Sequence, residues 1–320
     1  MKKQWKGMLL AAALCSFGTA HAQEAPPLRI IVPFAAGGTV DMLARAMSQE
    51  MNKVMGRTIV VENRAGGGGV VGSAVIAQAA PDGNTIGVII SSHAVNPGLH
   101  ASLPYDSEKD FTPISTLVRL PIAVAVNLSH PAKNFKEYLE RAKSKPEVQE
   151  YGSPGVGTAG HLLGVMIGEQ GGAKLRHVPY RGGAPALQDL LAGHISSSYH
   201  NTSNINPNVK AGQVRVLAVS SQARAASLPD VPTIAEFLPG FEVVEWYGMA
   251  GPKGMDPKTV EQLSKVIGQV LDTLTKNDKR FSPAEGIELK ASTPKEFDTF
   301  LTAELKRWPP IIRKMGLKAE

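Results

Sequence analysis

Apolar and polar positions along this chain follow two periods in turn, that of a buried strand and that of an amphipathic helix. Residues 28–34 (LRIIVPF) form a short apolar run rich in β-branched side chains, which predicts a buried strand. Gly37 and Gly38 then turn the chain without a Cβ penalty, and Thr39 offers a hydroxyl for an N-cap. Beyond it Val40, Leu43, Met47, Met51 and Val54 recur on one helical face. Strands are predicted at residues 58–62, 85–90 and 122–126, and helices at 70–79, 135–143 and 256–274. Glu150 and Tyr151 lead into a glycine-rich loop at 152–160 and a helix at 161–169. Residues 175–178, 184–191, 195–199 and 214–219 continue the alternation. A last helix opens at Thr293-Pro294-Lys295-Glu296 with a capping box and proline at its first position. Inside that helix Trp308-Pro309-Pro310 predicts a break or kink. Such alternation predicts an α/β protein with mostly parallel sheets flanked by helices.

Two of the turns carry candidate chemistry. Free backbone N–H groups and the positive end of a helix dipole at Gly37-Gly38-Thr39 make an anion site that suits a carboxylate as well as a phosphate. The same turn also reads as an ordinary βα connection. The second is Gly152-Ser153-Pro154-Gly155-Val156-Gly157-Thr158-Ala159-Gly160-His161, again between strand and helix, with the hydroxyls of Ser153 and Thr158 beside its N–H groups. His161 either donates to an anion there or packs at the helix start. Two such cradles predict a ligand gripped from opposite sides.

The first 22 residues change the composition. Lys2, Lys3 and Lys6 precede an apolar stretch from Met8 to Phe17 and then Ala20-His21-Ala22, the pattern of a secretory signal peptide cleaved after Ala22. That stretch is shorter than the ~20 residues of a membrane span. The single cysteine, Cys15, leaves with the leader, so the mature chain rests on its core without a disulfide. The leader lysines leave 31 of the 34 Lys+Arg against 28 Asp+Glu, a balance of about +3. Nothing in that balance or in the spacing of aromatics predicts nucleic-acid binding.

Enzyme motifs are sparse. Gly67-Gly68-Gly69-Val70-Val71-Gly72 has the form G-x-G-x-x-G, but the following strand ends in Ile90-Ser91-Ser92, without the acid that a dinucleotide ribose needs. Tyr151 stands where G-x-S-x-G requires its first glycine, so Ser153 is not in a nucleophile elbow. His194 and His200, read on one strand, lie roughly 20 Å apart at ~3.3 Å per residue, too far to share a metal. No catalytic residue, metal ligand or cofactor is predicted.

The ordered motifs do resemble a family. They are Val32-Pro33-Phe34, Gly37-Gly38-Thr39, Asp41, Val61-Glu62-Asn63-Arg64, Ala80-Pro81-Asp82-Gly83, Asn96-Pro97 and Tyr105-Asp106 with Lys109-Asp110-Phe111. Further on come Tyr151-Gly152-Ser153, His177-Val178-Pro179-Tyr180-Arg181-Gly182-Gly183 and Leu228-Pro229-Asp230-Val231-Pro232-Thr233. From about Leu28 to its end the chain resembles the periplasmic solute-binding subunits of tripartite tricarboxylate transporters, the Bug family. The resemblance implies a two-domain periplasmic binding protein of type II-like architecture, each domain a mostly parallel sheet flanked by helices, with the ligand cleft between. Crossings near Ile122 and Glu245 would give a discontinuous first domain, 23–121 and 246–320, and a second, 122–245. It implies a small carboxylate ligand, held by Phe34, Ala36, Gly37, Gly38, Thr39 and Asp41 on one side and by Ser153, Gly157, Thr158 and His161 on the other. Ser91, Ser92 and His93, read as a strand end on the same edge, are expected to line the pocket.

One segment departs from the family. Where its members commonly read D-x-x-F-D-N, this chain reads Ser196-Ser197-Ser198-Tyr199-His200-Asn201, so Ser196 and His200 replace aspartates. Tyr199 and His200 then offer donors or an aromatic surface in place of a negative charge, unless His200 only packs at the strand end. The expected role is that of a monomeric, exported protein that delivers its ligand to the membrane components of a tripartite transporter. Presentation of the loaded protein to a sensor kinase, or an exported hydrolase, are the alternatives.

Overall fold

A computed structural model describes residues 26–144, 149–180 and 182–319. The leader expected at 1–22, with Cys15, and Arg181 of the motif at 177–183 lie outside the described residues.

The first strand, β1 (Leu28–Val32), is apolar except for Arg29, and Ile30, Ile31 and Val32 are fully buried. It pairs parallel with β2 (Ile59–Asn63) on one side and β3 (Thr85–Ile90) on the other. Between them run α1 (Thr39–Met55) and α2 (Val70–Ala77), the right-sized crossovers for a parallel pair. Leu43, Met47 and Met51 of α1 pack with Leu28, Ile30 and Val32 of β1 in one core cluster.

Next, α3 (Ser91–Leu99) starts directly where β3 ends. Ser91, Ser92 and His93 are therefore the first turn of a helix, not the end of a strand as the sequence suggested. The long strand β4 (Phe111–Asn127) then carries the chain from one sheet to another. Up to Pro121 it pairs antiparallel with β9 (Val244–Pro252), and from Ile122 onward with β7 (Ser197–Asn201) and β8 (Val214–Val219). The chain returns to the first sheet through β9, which also pairs with β3.

The second sheet repeats the first one's plan. After α4 (Phe135–Ser144), β5 (Glu150–Ser153) pairs parallel with β6 (Arg176–Pro179) and with β7. Their crossovers are α5 (Ala159–Gly171) and α6 (Gly183–Ala192), and α7 (Thr202–Lys210) follows β7. Since β7 begins at Ser197, His194 lies outside the strand that carries His200, and the two do not share a strand face.

Two long helices close the first half. Leu263, Ile267 and Val270 of α8 (Pro257–Asn277) join the core of α1, and β10 (Glu288–Leu289) pairs with β4. The last helix, α9 (Pro294–Lys314), has the expected capping box at Thr293 and Glu296. It runs through Pro309 and Pro310 without ending, so of the expected break or kink the break does not occur. The reason is tertiary. Trp308, Pro309 and Ile312 are buried, and Gly98 of α3 lets α9 come so close that a Cβ there would lie 2.9 Å from the Pro309 Cα. Packing of this kind offsets the ~3 kcal/mol that a proline costs inside a helix.

Candidate functional site

The starts of three helices meet at one cavity of about 680 Å³ between the two halves. From the first half come Gly37, Gly38 and Thr39, where the chain enters α1. From the second come Gly183 and Ala184 of α6, and Ser203 and Asn204 of α7. The N-cap positions Gly38, Gly182 and Asn201 make no side-chain cap bond, so the first N–H groups of these helices have no capping oxygen. Each helix start carries about half a positive charge, and an anion is favoured where three of them meet.

The Gly37–Thr39 turn is held from below. Gly37 has φ +90° with nothing within 4 Å of a notional Cβ, so its backbone, not crowding, selects glycine. The Asp41 carboxylate accepts from the Gly37 N–H at 2.9 Å, from Arg45 Nε at 3.0 Å and from Asn63 Nδ2 at 2.8 Å. Burial pushes this carboxyl up, but the three hydrogen bonds outweigh it and hold Asp41 below its ordinary value. Asp41 thus fixes the turn and occupies the Gly37 donor. The Gly38 N–H meets no acceptor among the described residues. Phe34 is half-buried, with its carbonyl accepting from Asn63 at 3.0 Å, and Ala36 is exposed beside the turn. Across the cavity Thr39 Oγ1 meets Asn204 Oδ1 at 3.0 Å, a bond between the two halves.

Charges at the rim are largely paired. Arg280 lies on Asp278 at 2.9 Å, and Glu285 lies on Lys210 at 2.8 Å. Lys279 is exposed and makes no ion pair among the described residues. The balance favours an anionic ligand.

The second predicted cradle closes on itself. Gly155 N–H donates to Ser153 Oγ at 3.2 Å, Gly157 N–H to His161 Nδ1 at 3.1 Å, and Thr158 Oγ1 to the Gly155 carbonyl at 2.7 Å. Ser153 Oγ also lies 2.7 Å from His177 Nε2. A Cβ on Gly157 would lie 2.5 Å from Leu99 Cδ1, so this loop leans on α3 of the other half. His161 stacks on His177 at 4.0 Å; burial lowers it to about 4, and burial with the neighbouring ring lowers His177 to about 3. This loop therefore supports the cleft wall, while the Gly37–Thr39 turn faces the cavity.

The α3 trio is also engaged elsewhere. Ser91 donates its hydroxyl and N–H to Glu245 at 2.6 and 3.2 Å, and Ser92 donates to the Gly68 carbonyl at 2.7 Å. Burial raises Glu245 to about 7, against the Ser91 bonds that lower it. His93 bonds the Ser107 carbonyl at 2.9 Å, packs against Tyr105 and Phe111, and is lowered to about 4 by burial. None of the three lines the cavity.

On β7 the alternation of side chains separates Tyr199 from His200. Tyr199 points into the core, with its hydroxyl 2.7 Å from that of Tyr138 and its ring stacked on Tyr151 at 4.7 Å. His200 lies on the other face, 1% exposed, and burial lowers it to about 4. Neither of its ring nitrogens has a partner among the described residues.

Sequence reasoning missed Gly183, Ser203, Asn204 and Lys279. A signal existed for the first three: Asn201-Thr202-Ser203-Asn204 and Gly182-Gly183 each span a strand-to-helix junction rich in polar or glycine residues, as Gly37-Gly38-Thr39 does. Lys279 had none. Among the described residues no group of His, Cys, Asp or Glu is arranged to hold a metal, and no helix is long and apolar enough to cross a membrane.

Comparison with known proteins agrees with this architecture. Residues 43–317 match the family described as "Tripartite tricarboxylate transporter family receptor". Protein BugT of Bordetella pertussis is 31% identical over 316 residues, covering 98% of this chain and 96% of BugT. The solved structure of R. palustris Rpa4515 with adipate is 29% identical with a TM-score of 0.82, covering 92% of this chain and 98% of that one. That of MatC (Rpa3494) from Rhodopseudomonas palustris with bound malate is 28% identical with a TM-score of 0.79, covering 90% and 99%.

Proposed function

The chain belongs to the tripartite tricarboxylate transporter receptor family, and from that premise we propose that it captures a small organic acid in this cavity. The family is one of solute-binding receptors, not of enzymes. The observation that carries the reading is the convergence of three uncapped helix starts on a cavity of about 680 Å³, with Lys279 at its rim. A ligand carboxylate takes the free N–H groups at Gly38 and at the starts of α6 and α7. Two similar proteins were solved with adipate and malate, both dicarboxylates, which favours the same ligand class here. Residues 23–121 with 246–320 act as one domain and 122–245 as the other, closing on the ligand. The protein is exported by its leader, works as a monomer in the periplasm, and hands its ligand to the membrane components of a tripartite transporter.

The test is a thermal-shift series over mono-, di- and tricarboxylates, amino acids and aromatic acids. A ligand at 100-fold excess over its Kd stabilises by ~2.7 kcal/mol, a shift of a few degrees. Stabilisation by one or a few carboxylates supports the reading, and its absence across the series removes it.

A further inference from the structure

The first turn of α1 sets two opposite charges against each other. Its start lines the cavity and favours an anion, yet Asp41, in that same turn, is an acid only 3% exposed. The Asp41 carboxylate accepts from the Gly37 N–H at 2.9 Å, one residue before the Gly38 N–H that is left for the cavity. A full negative charge there opposes the half positive charge of the helix start. At so short a range salt does little to screen it.

Arg45 answers that charge. One turn further along α1, its Nε lies 3.0 Å from Asp41 Oδ2, the same oxygen that takes the Gly37 N–H. Its Nη2 donates to Asn63 Oδ1 at 2.9 Å. Asn63 Nδ2 in turn donates to Asp41 Oδ1 at 2.8 Å and to the Phe34 carbonyl at 3.0 Å. The three side chains therefore bond one another in a closed ring. Through the Gly37 N–H and the Phe34 carbonyl, that ring grips the turn at two points. The planar fork of a guanidinium suits this place, because Nε and another ring-facing nitrogen reach two acceptors at once.

We infer that Arg45 is a positioning residue for the anion cavity: it neutralises Asp41 and, with Asn63, holds that acid under the turn, so the helix start keeps its attraction for a ligand carboxylate. The inference rests on the carboxylate reading above and deepens it. Arg45 does not line the cavity and acts through Asp41. A counter-ion and a mere strut differ in one consequence. If Arg45 is a counter-ion, removing the acid as well relieves the damage of removing the arginine; if it is a strut, the second change adds to the first.

The experiment is titration calorimetry with adipate, followed by malate and the other carboxylates of the series should adipate not bind. Arg45→Met places a good helix former at a half-exposed position and is expected to weaken binding roughly 3- to 10-fold. Asp41→Asn in the Arg45→Met background removes the stranded charge and keeps an acceptor for the Gly37 N–H. This double variant is expected to bind more tightly than Arg45→Met alone. Arg45→Lys, which keeps the charge, is expected to bind more tightly than Arg45→Gln, which keeps only donors. A double variant as weak as Arg45→Met or weaker, or an Arg45→Met affinity equal to that of the wild type, overturns this inference alone. Should the double variant fail to fold, the lysine and glutamine variants decide, and equal losses in the two overturn the inference. Failure of every carboxylate to bind the wild type overturns the parent reading and this inference with it.

Discussion

Gly38 has φ −80° and ψ 169°, a conformation that proline accepts, and its N–H meets no acceptor among the described residues. Gly38→Pro therefore removes one donor from the cavity at little cost to the fold. Binding of the best carboxylate is expected to weaken roughly 10-fold or more by calorimetry, with the unfolding midpoint nearly unchanged. Full affinity in the folded variant would take this turn out of the site. The buried histidines make a second claim, on acid stability. Burial lowers His93, His161 and His200 to about 4 and His177 to about 3, against 6.5 for an ordinary histidine. Between about pH 4 and 6.5 the unfolded chain binds protons at these positions that the folded chain refuses, so stability falls as pH falls through that window. Glu245 opposes this. Its carboxyl is raised from 4.5 to about 7, so it contributes stability at low pH that is lost as pH rises through about 7. Four groups outweigh one, and the thermal midpoint is expected to drop from pH 7 to pH 5. Glu245→Gln removes the opposing contribution, so its drop is expected to be steeper than that of the wild type.

Among the helices, α3 and α9 show what tertiary contact does to a local signal. The capping box of α9 was legible because Thr293 and Glu296 act within one turn. The proline pair did not end the helix because its outcome depends on Gly98, more than 200 residues away, against which Pro309 and Ile312 pack. A Cβ at Gly98 would lie 2.8 Å from Ile312 Cβ and 2.9 Å from Pro309 Cα, and backbone atoms cannot move aside cheaply. Gly98→Ala is expected to destabilise by about 1–3 kcal/mol in urea titration, the usual effect of overpacking. A loss below that range would mean the two helices have slack. The start of α3 was hidden for a related reason. No turn residue separates Ile90 from Ser91, and the acceptor for the Ser91 N–H is Glu245, 154 residues along the chain. The Gly37–Thr39 turn was readable because strand, glycines and helix are consecutive. Its counterparts at α6 and α7 come to the same cavity only through the order of strands β5, β6 and β7.

The two sheets share β4, and the sequence showed only its second half, residues 122–126, because Pro113 and Pro121 disguise the first. Across the cavity the halves meet mostly through polar contacts near the surface, among them Lys210 on Glu285 at 2.8 Å, Asn206 on the Ala284 carbonyl at 3.2 Å and Lys314 on Glu169 at 3.3 Å. Thr39 bonds Asn204 at 3.0 Å, Thr202 bonds the Gly286 carbonyl at 3.3 Å, and the Gly157 loop rests on Leu99. An exposed hydrogen bond such as Thr39–Asn204 contributes about 0.5–1.5 kcal/mol, too little to hold two bodies together unaided. A ligand that touches α1 from one side and α6 and α7 from the other binds the closed form better, and it shifts the population by that difference. Small-angle scattering is therefore expected to show a smaller radius of gyration with saturating carboxylate than without. Asn204→Ala removes one of these bridges, so its ligand-free radius is expected to be at least as large as that of the wild type, and ligand should still reduce it. A radius that ignores ligand in both proteins would mean that the contacts between the halves persist unaided, and that the acid enters a cavity already closed around it.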